Sequence, residues 1–466
     1  SNVENLGEKL SSPGDVPLTF KFLEMNDLGM EDSLYIKLNA RGKPLTPFEN
    51  LKAQLVGRQQ KLKLPFIAEV EQNFDGKWTD LFWSNSKENF NTLYMTFFGV
   101  LFMNEKIISS DVNWANTFDF EKIDARIFKT MYYTLNFLCE NRSSTAYWFI
   151  FNSLSDSRTY SDRVLFHAVT TYLYRAKGKD NGSLKQWLRI IKNLTVNTRI
   201  DELDLYRGAI EGINKLTENW DNLLSYFSTE GSVSGFSQEQ IEEEYIKARM
   251  IMHSTSFADE IYEAEEHPYF DGQIRSALYY AGFYKSIGNI QDFKKYRNKI
   301  SALFNETAPK HGHLLRRALL TFGDYTLPVS AYKTLCVDRP DEPTRTPSMK
   351  RLFSSHGDIV RKLLDALKLK KNIKDQLDQF VSNSTLQRTD WRYCLVNFPE
   401  LFNLMSASHL RLREVQGEMF IIKNKSSNGF SYEIFVAALR EVLKRDGIES
   451  TFEGNLGTWA DRYLCV

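Results

Sequence analysis

The chain has 466 residues, 42% of them hydrophobic and 14% aromatic, so it can bury a large core and is long enough for roughly two to four domains. Its 59 basic residues balance its 59 acidic residues, so composition does not indicate a nucleic-acid binder, although a local basic patch is compatible with it. No apolar run is long enough to span a bilayer, and the four separated cysteines disfavour both structural zinc and a disulfide framework. We expect a cytoplasmic protein that contacts no membrane.

The first informative stretch comprises residues 34–55. Thr46, Pro47 and Glu49 have the order that begins a helix with a capping box and a proline at its first position. Helical spacing then places three apolar side chains on one face: Phe48, Leu51 and Leu55.

A turn with polar side chains precedes this helix. It sets an amide, a guanidinium and an ammonium group beside a helix N-terminus, and this combination suits an anion such as phosphate. In the alternative interpretation, Asn39 and Gly42 only form the turn, while Arg41 and Lys43 are solvated.

Residues 35–46, followed by Leu51-Lys-Ala, resemble the Phe-x-x-x-Asn-x-Arg-Gly-x-x-Leu-Ser signature of the GmrSD-type family of phage-defence and modification-dependent restriction proteins. In that family the signature lies downstream of a ParB-like nucleotide-using domain marked by Asp-Gly-Gln-Gln-Arg. The resemblance implies that NTP and magnesium are cofactors of the full-length protein. It also implies nucleotide-binding roles for Asn39, Arg41, Gly42, Lys43 and Thr46.

The chain lacks the Asp-Gly-Gln-Gln-Arg motif and begins with Ser1 and Asn2 instead of methionine. We therefore expect the C-terminal portion of a longer protein, whose missing N-terminal nucleotide domain is its partner. Such a portion carries half of a nucleotide site and no cofactor of its own. Relatives often end in a His-Asn-His-type nuclease with a Glu-His-x-x-Pro motif, but Pro268 directly follows His267 here, so the nuclease is not carried over.

Residues 74–230 have the spacing of a helical body. Trp78, Leu81 and Phe82 predict a helix packed in a core, and the segment around them resembles a Trp-Thr-Asp-x-Phe-Trp segment of relatives from Bacteroides-like bacteria. No Gly-rich phosphate loop of the Walker type occurs, which excludes a P-loop ATPase.

Residues 184–199 resemble a Trp-x-Arg-x-Ile-x-Asn-Leu segment of the same family. Arg189, Lys192 and Asn193 lie beside the apolar face of the predicted helix. These side chains suit nucleic-acid contact, but buried residues that order helix ends are the favoured interpretation.

A Gly- and Ser-rich stretch at residues 231–237 predicts a linker between two helical domains. Ser237 and Gln240 then have the spacing of a second capping box. The helix that follows is predicted to pack through Ile241, Tyr245, Ala248 and Met252.

An acidic segment after this helix could in principle bind a metal or act as acid and base through Glu263, Glu265, Glu266, His267 and Asp271. The spacing matches no metal motif, so an acidic helix end stopped by Pro268 is the favoured interpretation. The segment also resembles a Glu-x-His-x-Tyr-Phe-x-Gly-Gln-Ile block of the family. Further along, His311 and His313 lie close together, but no third ligand is evident.

The tail has the pattern of a small α+β unit. A hairpin turns at Gln416 and Gly417, Ser431 is predicted to cap a helix, and residues 462–466 are predicted as a strand. The predicted inner side of that helix comprises Ile434, Phe435, Ala438, Leu439, Val442 and Leu443. A packing or recognition unit is favoured over a nuclease fragment.

The sequence therefore predicts a mainly α protein with a short N-terminal remnant of the nucleotide domain and a small α+β C-terminal unit. The predicted domains are the remnant (1–60), a helical domain (61–230), a linker (231–237), a second helical domain (238–400) and the α+β unit (401–466). The leading hypothesis is the helical C-terminal region of a bacterial anti-phage protein that couples an NTP-using domain to recognition of nucleic acid, with DNA as the expected ligand. The alternatives are a helical scaffold that binds a partner or phage protein and, less favoured, an independent hydrolase. We predict no catalytic residue and no metal ligand in this chain, although its status as an enzyme stays open.

Overall fold

The computed structural model describes residues 45–64, 66–108, 123–285, 288–305, 313–338, 347–355, 357–423, 431–453 and 463–465. These residues are mainly helical, with a small antiparallel sheet near the C-terminus, which confirms the predicted fold class. The chain divides into two compact units, residues 1–98 with 119–125 and residues 99–118 with 126–466. The expected N-terminal remnant lies outside the described residues as far as residue 44.

The first unit contains helices α1 (Pro47–Lys61), α2 (Ile67–Asp75), α3 (Lys77–Asn85) and the first half of α4 (Phe90–Lys106). Helix α1 begins with the predicted capping box: the Glu49 N–H donates to Thr46 Oγ1 at 3.2 Å, and the Thr46 N–H donates to Glu49 Oε2 at 2.6 Å. The predicted apolar face of α1 is buried, which confirms the helical spacing.

Aromatic rings fill the core of the first unit. Tyr94 lies at its centre, with ring centroids 4.3 Å from Phe48 and 4.0 Å from Phe82. Phe74 meets Trp78 edge-on at 5.2 Å. All five rings are buried, as predicted for the Trp78 and Phe82 helix, and such rings contribute both buried area and edge or stacking contacts.

The second unit is a longer helical array. Its first part contains α5 (Ala125–Glu140), α6 (Thr145–Asn152), α7 (Tyr160–Arg175), α8 (Leu184–Val196), α9 (Leu203–Leu216), α10 (Leu223–Thr229), α11 (Gln238–His253) and α12 (Thr255–Glu266). Its later helices are α13 (Arg275–Tyr280), α14 (Ile290–Leu303), α15 (Leu314–Phe322), α16 (Met349–Ser354), α17 (Asp358–Ala366), α18 (Ile373–Ser382), α19 (Trp391–Asn397) and α20 (Ile434–Arg445). Short 3-10 turns occur at Thr217–Asn219 and Pro399–Leu404.

A five-stranded antiparallel sheet of order β1-β2-β3-β4-β5 packs against the later helices. Its strands are β1 (Leu327–Val329), β2 (Tyr332–Thr334), β3 (Arg411–Val415), β4 (Glu418–Ile422) and β5 (Ser431–Glu433). A separate pair joins β6 (Thr451–Glu453) to β7 (Tyr463–Cys465), which confirms the terminal strand. The hairpin between β3 and β4 turns at Gln416 and Gly417, as predicted, and both residues have positive φ angles.

The start and the inner face of α20 differ from the prediction. Ser431 lies in β5, and the N-cap is Glu433, whose carboxylate accepts the Val436 N–H at 2.8 Å. Because Glu433 caps the first turn of the helix, Ser431 is not needed as the cap and can lie in the strand that leads into the helix. The expected inner side chains Phe435, Leu439 and Val442 are exposed, because the helix turns Ile434, Ala437, Ala438 and Glu441 inward.

The predicted linker at residues 231–237 lies against helix α9. A side chain at Gly235 would meet the backbone of Gly208, so two glycines allow a close backbone contact there. Val233 is buried, and the Ser237 N–H donates to Thr198 Oγ1 at 2.8 Å. The segment is therefore held against the helical part that precedes it, and the proposed domain boundary stays a prediction.

Candidate functional site

The predicted nucleotide-binding residues are described only in part. Asn39, Arg41, Gly42 and Lys43 lie outside the described residues. Thr46 is described, and both its hydroxyl and its N–H are used in the cap of α1. Its role toward a nucleotide stays a prediction.

The most distinctive polar cluster lies between helices α8, α11 and α12. These helices belong to the second unit and bring together segments that are far apart in the sequence. We call this cluster the buried ionic network and define it by Arg189, Asn193, Glu243, Glu244, Lys247 and Glu265.

Lys247 is the centre of the network and is fully buried. Its Nζ lies 2.7 Å from Glu243 Oε1, 2.8 Å from Glu244 Oε1 and 3.0 Å from Glu265 Oε1. It also donates to the Gly272 carbonyl at 2.5 Å. One ammonium group therefore ties neighbouring turns of α11 to α12 and to the segment that follows it.

Helix α8 completes the network with a cation and an amide. Arg189 Nη1 lies 2.7 Å from Glu265 Oε1 and 3.4 Å from Glu244 Oε2. The Asn193 amide donates at 2.9 Å to one oxygen of each of these two carboxylates. Arg189 also lies over the Tyr262 ring, 5.6 Å from its centroid. Asn193 is buried, as the favoured interpretation expects, and Arg189 is partly buried; both join helices, and the ordering of helix ends stays a prediction.

Gly272 is required where the network meets the loop after α12. Its φ of +81° lies in the left-handed region, and a Cβ there would stand 2.2 Å from Asn193 Oδ1. Beside it, Lys192 pairs with Asp271 at 2.9 Å, and the Asn197 amide donates to the Asp271 carbonyl at 3.0 Å. Helix α8 is therefore fastened to this loop along two of its turns.

The ionisable groups of the network differ in the direction and the cause of their pKa shifts. Burial opposes the charged form of Lys247, but the surrounding carboxylates outweigh it and raise the pKa of the ammonium. Burial also opposes ionisation of Glu265, yet Arg189 and Lys247 lower the pKa of its carboxyl below the usual range. Glu243 differs, because burial raises the pKa of its carboxyl in spite of Lys247.

The bonding of Glu243 agrees with this direction. Its Oε1 accepts the Ile274 N–H at 2.7 Å and faces Lys247, whereas its Oε2 accepts no hydrogen bond within the part of the chain that is described. An oxygen buried without a donor favours the protonated carboxyl.

The residues considered for catalysis do not converge. Glu263 pairs with Arg297 on α14 at 2.8 Å, Glu265 enters the network, and Asp271 pairs with Lys192. Glu266 is exposed, and His267 Nδ1 accepts the Tyr269 N–H at 3.2 Å. The arrangement joins helices and gives no geometry for acid and base to act on one substrate.

Three members of the network, Glu243, Glu244 and Lys247, were not among the predicted site residues. The predicted packing side of α11 is also partly wrong, since Met252 is 58% exposed while these charged residues are buried. The second capping box does not form, because the Gln240 amide bonds to Glu244 and to the Gly272 carbonyl. The available signal was the spacing Glu-Glu-x-x-Lys within this helix.

The predicted histidine pair is described only through His313. Its ring stacks on Phe402 at 4.2 Å, its Nδ1 lies 3.3 Å from Arg316, and burial lowers its pKa to about 4. Across the described ranges, no group of three or more His, Cys, Asp or Glu side chains is arranged to hold a metal. The described helices include none with the length and apolar character needed to cross a membrane.

No protein-family model, no curated protein and no solved structure matches this chain. Contacts within the structure and the family resemblance of individual segments therefore support the functional proposals.

Proposed function

We propose that this chain is a helical region of a bacterial anti-phage defence protein of the GmrSD type, which couples an NTP-using domain to recognition of nucleic acid. One observation carries the proposal: the segments 184–199 and 261–274, each of which resembles that family, are joined through the buried ionic network and the adjoining Lys192–Asp271 pair. Two segments that resemble the same family are thus in contact in the fold, which supports the proposal.

The network also suits a coupling element. Breaking one partner of a buried ion pair costs about 3–5 kcal/mol, so α8, α11 and α12 resist moving apart. Arg297 extends the connection to α14 through Glu260 at 3.2 Å and Glu263 at 2.8 Å. Helices joined in this way move together and can pass a displacement from one site to another.

A salt titration of DNA binding tests the recognition part of the proposal. We expect the chain to bind duplex or single-stranded DNA at low salt, with the logarithm of affinity falling linearly as the logarithm of salt concentration rises. Fluorescence anisotropy of labelled DNA gives this slope directly. An absence of binding at low salt contradicts the proposal, and NTP turnover by this chain would contradict the need for a separate nucleotide domain.

The genomic sequence tests the family part. An Asp-Gly-Gln-Gln-Arg motif encoded upstream of Ser1, or in a neighbouring gene, supports a GmrSD-type protein. If neither place encodes it, the family assignment fails, whatever the DNA assay shows.

A helical scaffold that binds a partner protein is the second candidate, and the surface of α20 favours it. Phe435, Leu439 and Val442 lie three and four residues apart and are 38%, 51% and 38% exposed. A Leu439→Ser variant that binds DNA normally but loses phage protection in cells would favour this candidate. The exposed Lys444→Ser on the same helix serves as the control variant.

A further inference from the structure

A groove lies on the side of α11 that faces away from the buried ionic network, and its volume is about 510 Å³. Ligand pockets in proteins have volumes of about 300–1,000 Å³, so the groove is large enough for one small molecule or one residue of a polymer. Its lining on α11 includes Glu242, Tyr245, Arg249 and His253, which recur at helical spacing on one face.

Aromatic rings form much of the groove wall. Three of the lining rings belong to Tyr245 on α11, Phe257 near the start of α12 and Tyr284 in the turn after α13. Phe257 meets Phe283 edge-on at 5.8 Å. These rings are half-buried, and Arg275 lies 4.7 Å from the centroid of the Tyr284 ring. Such a wall fits a flat, apolar group that can stack on rings.

The rim of the groove is basic. Arg249 lies 5.4 Å from the centroid of the Tyr245 ring, and Lys285 lies in the opposite turn. Among the described residues, neither cation has an acidic partner within ion-pair distance. The acidic lining residue Glu242 is paired with Arg275 at 3.4 Å. The unpaired charge of the groove is therefore positive and complements an anion.

A flat group next to an anion is the chemistry of a nucleotide. Proteins hold unpaired bases by stacking them on aromatic side chains and arginine planes, and they hold phosphates with Arg and Lys. A helical peptide instead needs an elongated groove that accepts anchors over several turns. The compact volume and the basic rim favour the nucleotide.

We propose that the groove between α11 and the turn at residues 283–285 binds one unpaired nucleotide, with its base among Tyr245, Phe257 and Tyr284 and its phosphate on Arg249 and Lys285. This inference rests on the proposed recognition of nucleic acid and places it at a specific surface. The network on the other face of α11 holds the groove wall in position.

Two probes distinguish the source of the nucleotide. One is a free mononucleotide, measured by calorimetry, and the other is a short single-stranded thymidine oligonucleotide, measured by anisotropy. Binding of the oligonucleotide alone identifies a strand as the source, and comparable binding of the mononucleotide identifies a free nucleotide. Each result supports the groove as the nucleotide-binding site if the groove variants weaken the binding.

The main variant is Arg249→Gln with Lys285→Gln, which removes two exposed charges and leaves the core intact. Each lost phosphate contact lowers the salt slope of oligonucleotide binding by about 1. Lys362→Gln with Lys370→Gln is the matched control, because both lysines are exposed and lie outside the groove. Phe257→Leu keeps an apolar side chain but removes the stacking face, and it should weaken binding about 5- to 150-fold.

The inference is overturned if neither probe is weakened by the groove variants relative to the control variant. It is also overturned if an acidic aromatic peptide occupies the groove and neither nucleotide probe binds there. These outcomes differ from failure of the proposed function. If duplex DNA binds and the groove variants do not weaken this binding, the proposed function is supported without the groove. If the mononucleotide binds in the groove but no DNA binds to the chain, only the inference about the groove is supported.

Discussion

The interior of the first unit is filled by aromatic rings, whereas the buried ionic network of the second unit places charged side chains between its helices. Around Tyr94, rings fill the interior, and their burial is favourable by itself. Around Lys247, charges fill the interior, and their burial is unfavourable unless every partner is present. An aromatic core tolerates partial loss, whereas an ionic network depends on each member.

This difference also bears on specificity. Apolar rings pack against many neighbours, but the network accepts one register of α8 against α11 and α12, because Arg189 and Asn193 each need a carboxylate within reach. A displaced helix leaves buried charges without partners. We therefore expect the network to fix the relative position of these helices more strictly than apolar packing would.

Lys247→Met should have the largest effect and tests the ionic side of the comparison. It removes the cation that Glu243, Glu244 and Glu265 share, and we expect the local free energy of unfolding to fall by about 3–5 kcal/mol. Hydrogen exchange of the amides in α8, α11 and α12 measures this loss locally, which avoids treating the chain as one two-state unit.

Lys370→Met is the control for Lys247→Met, because Lys370 is exposed and the chemical change is identical. We expect the control to leave exchange in these helices unchanged. Equal protection in the two variants would mean that the network contributes no coupling between the helices.

Phe82→Leu should have an intermediate effect and tests the aromatic side. It removes a ring 4.0 Å from Tyr94 and 5.8 Å from Phe97, and we expect a loss of about 1–3 kcal/mol from poorer packing. No titratable group near neutrality is involved, so the loss should be the same at pH 5 and pH 8. Hydrogen exchange of α3 measures it, and a loss that varies with pH would contradict a purely apolar core.

Glu243→Gln should have the smallest effect at neutral pH, within about 1 kcal/mol. The pKa of Glu243 is raised in the folded state, so the folded protein holds this proton more tightly than the unfolded chain. The wild type therefore loses stability as pH rises from the ordinary glutamate pKa of 4.5 through the folded pKa. The variant should not show this loss, and its stability relative to the wild type should increase with pH.

Glu265→Gln is the matched variant with the opposite sign. The pKa of Glu265 is lowered in the folded state, so its stabilisation is fully present above 4.5 and is lost as pH falls through the folded pKa. We expect this variant to be destabilised at pH 7 and to approach the wild type in acid. Parallel pH profiles for the two glutamine variants would show that Glu243 and Glu265 do not differ as described.

The helices were largely predictable, because apolar periodicity is local. The face of Phe48, Leu51 and Leu55, the aromatic segment at Trp78 and the turn at Gln416 follow from spacing and turn chemistry. The predictions were wrong where a side chain bonds to a residue that is distant in the sequence and not to its neighbours along the chain. The Gln240 amide donates to the Gly272 carbonyl, which lies beyond the next helix, in place of closing a capping box.

The sequence by itself determined the mainly helical class, the cap of α1 and the polar character of Arg189, Asn193 and Glu265. Only the tertiary structure decided that these residues meet. Arg189 and Glu265 are 76 positions apart, and no periodic pattern links them. Periodicity records which side of a helix is buried against apolar neighbours. A buried charge is stabilised by particular partners, and its environment becomes evident only when the helices that supply those partners are in contact.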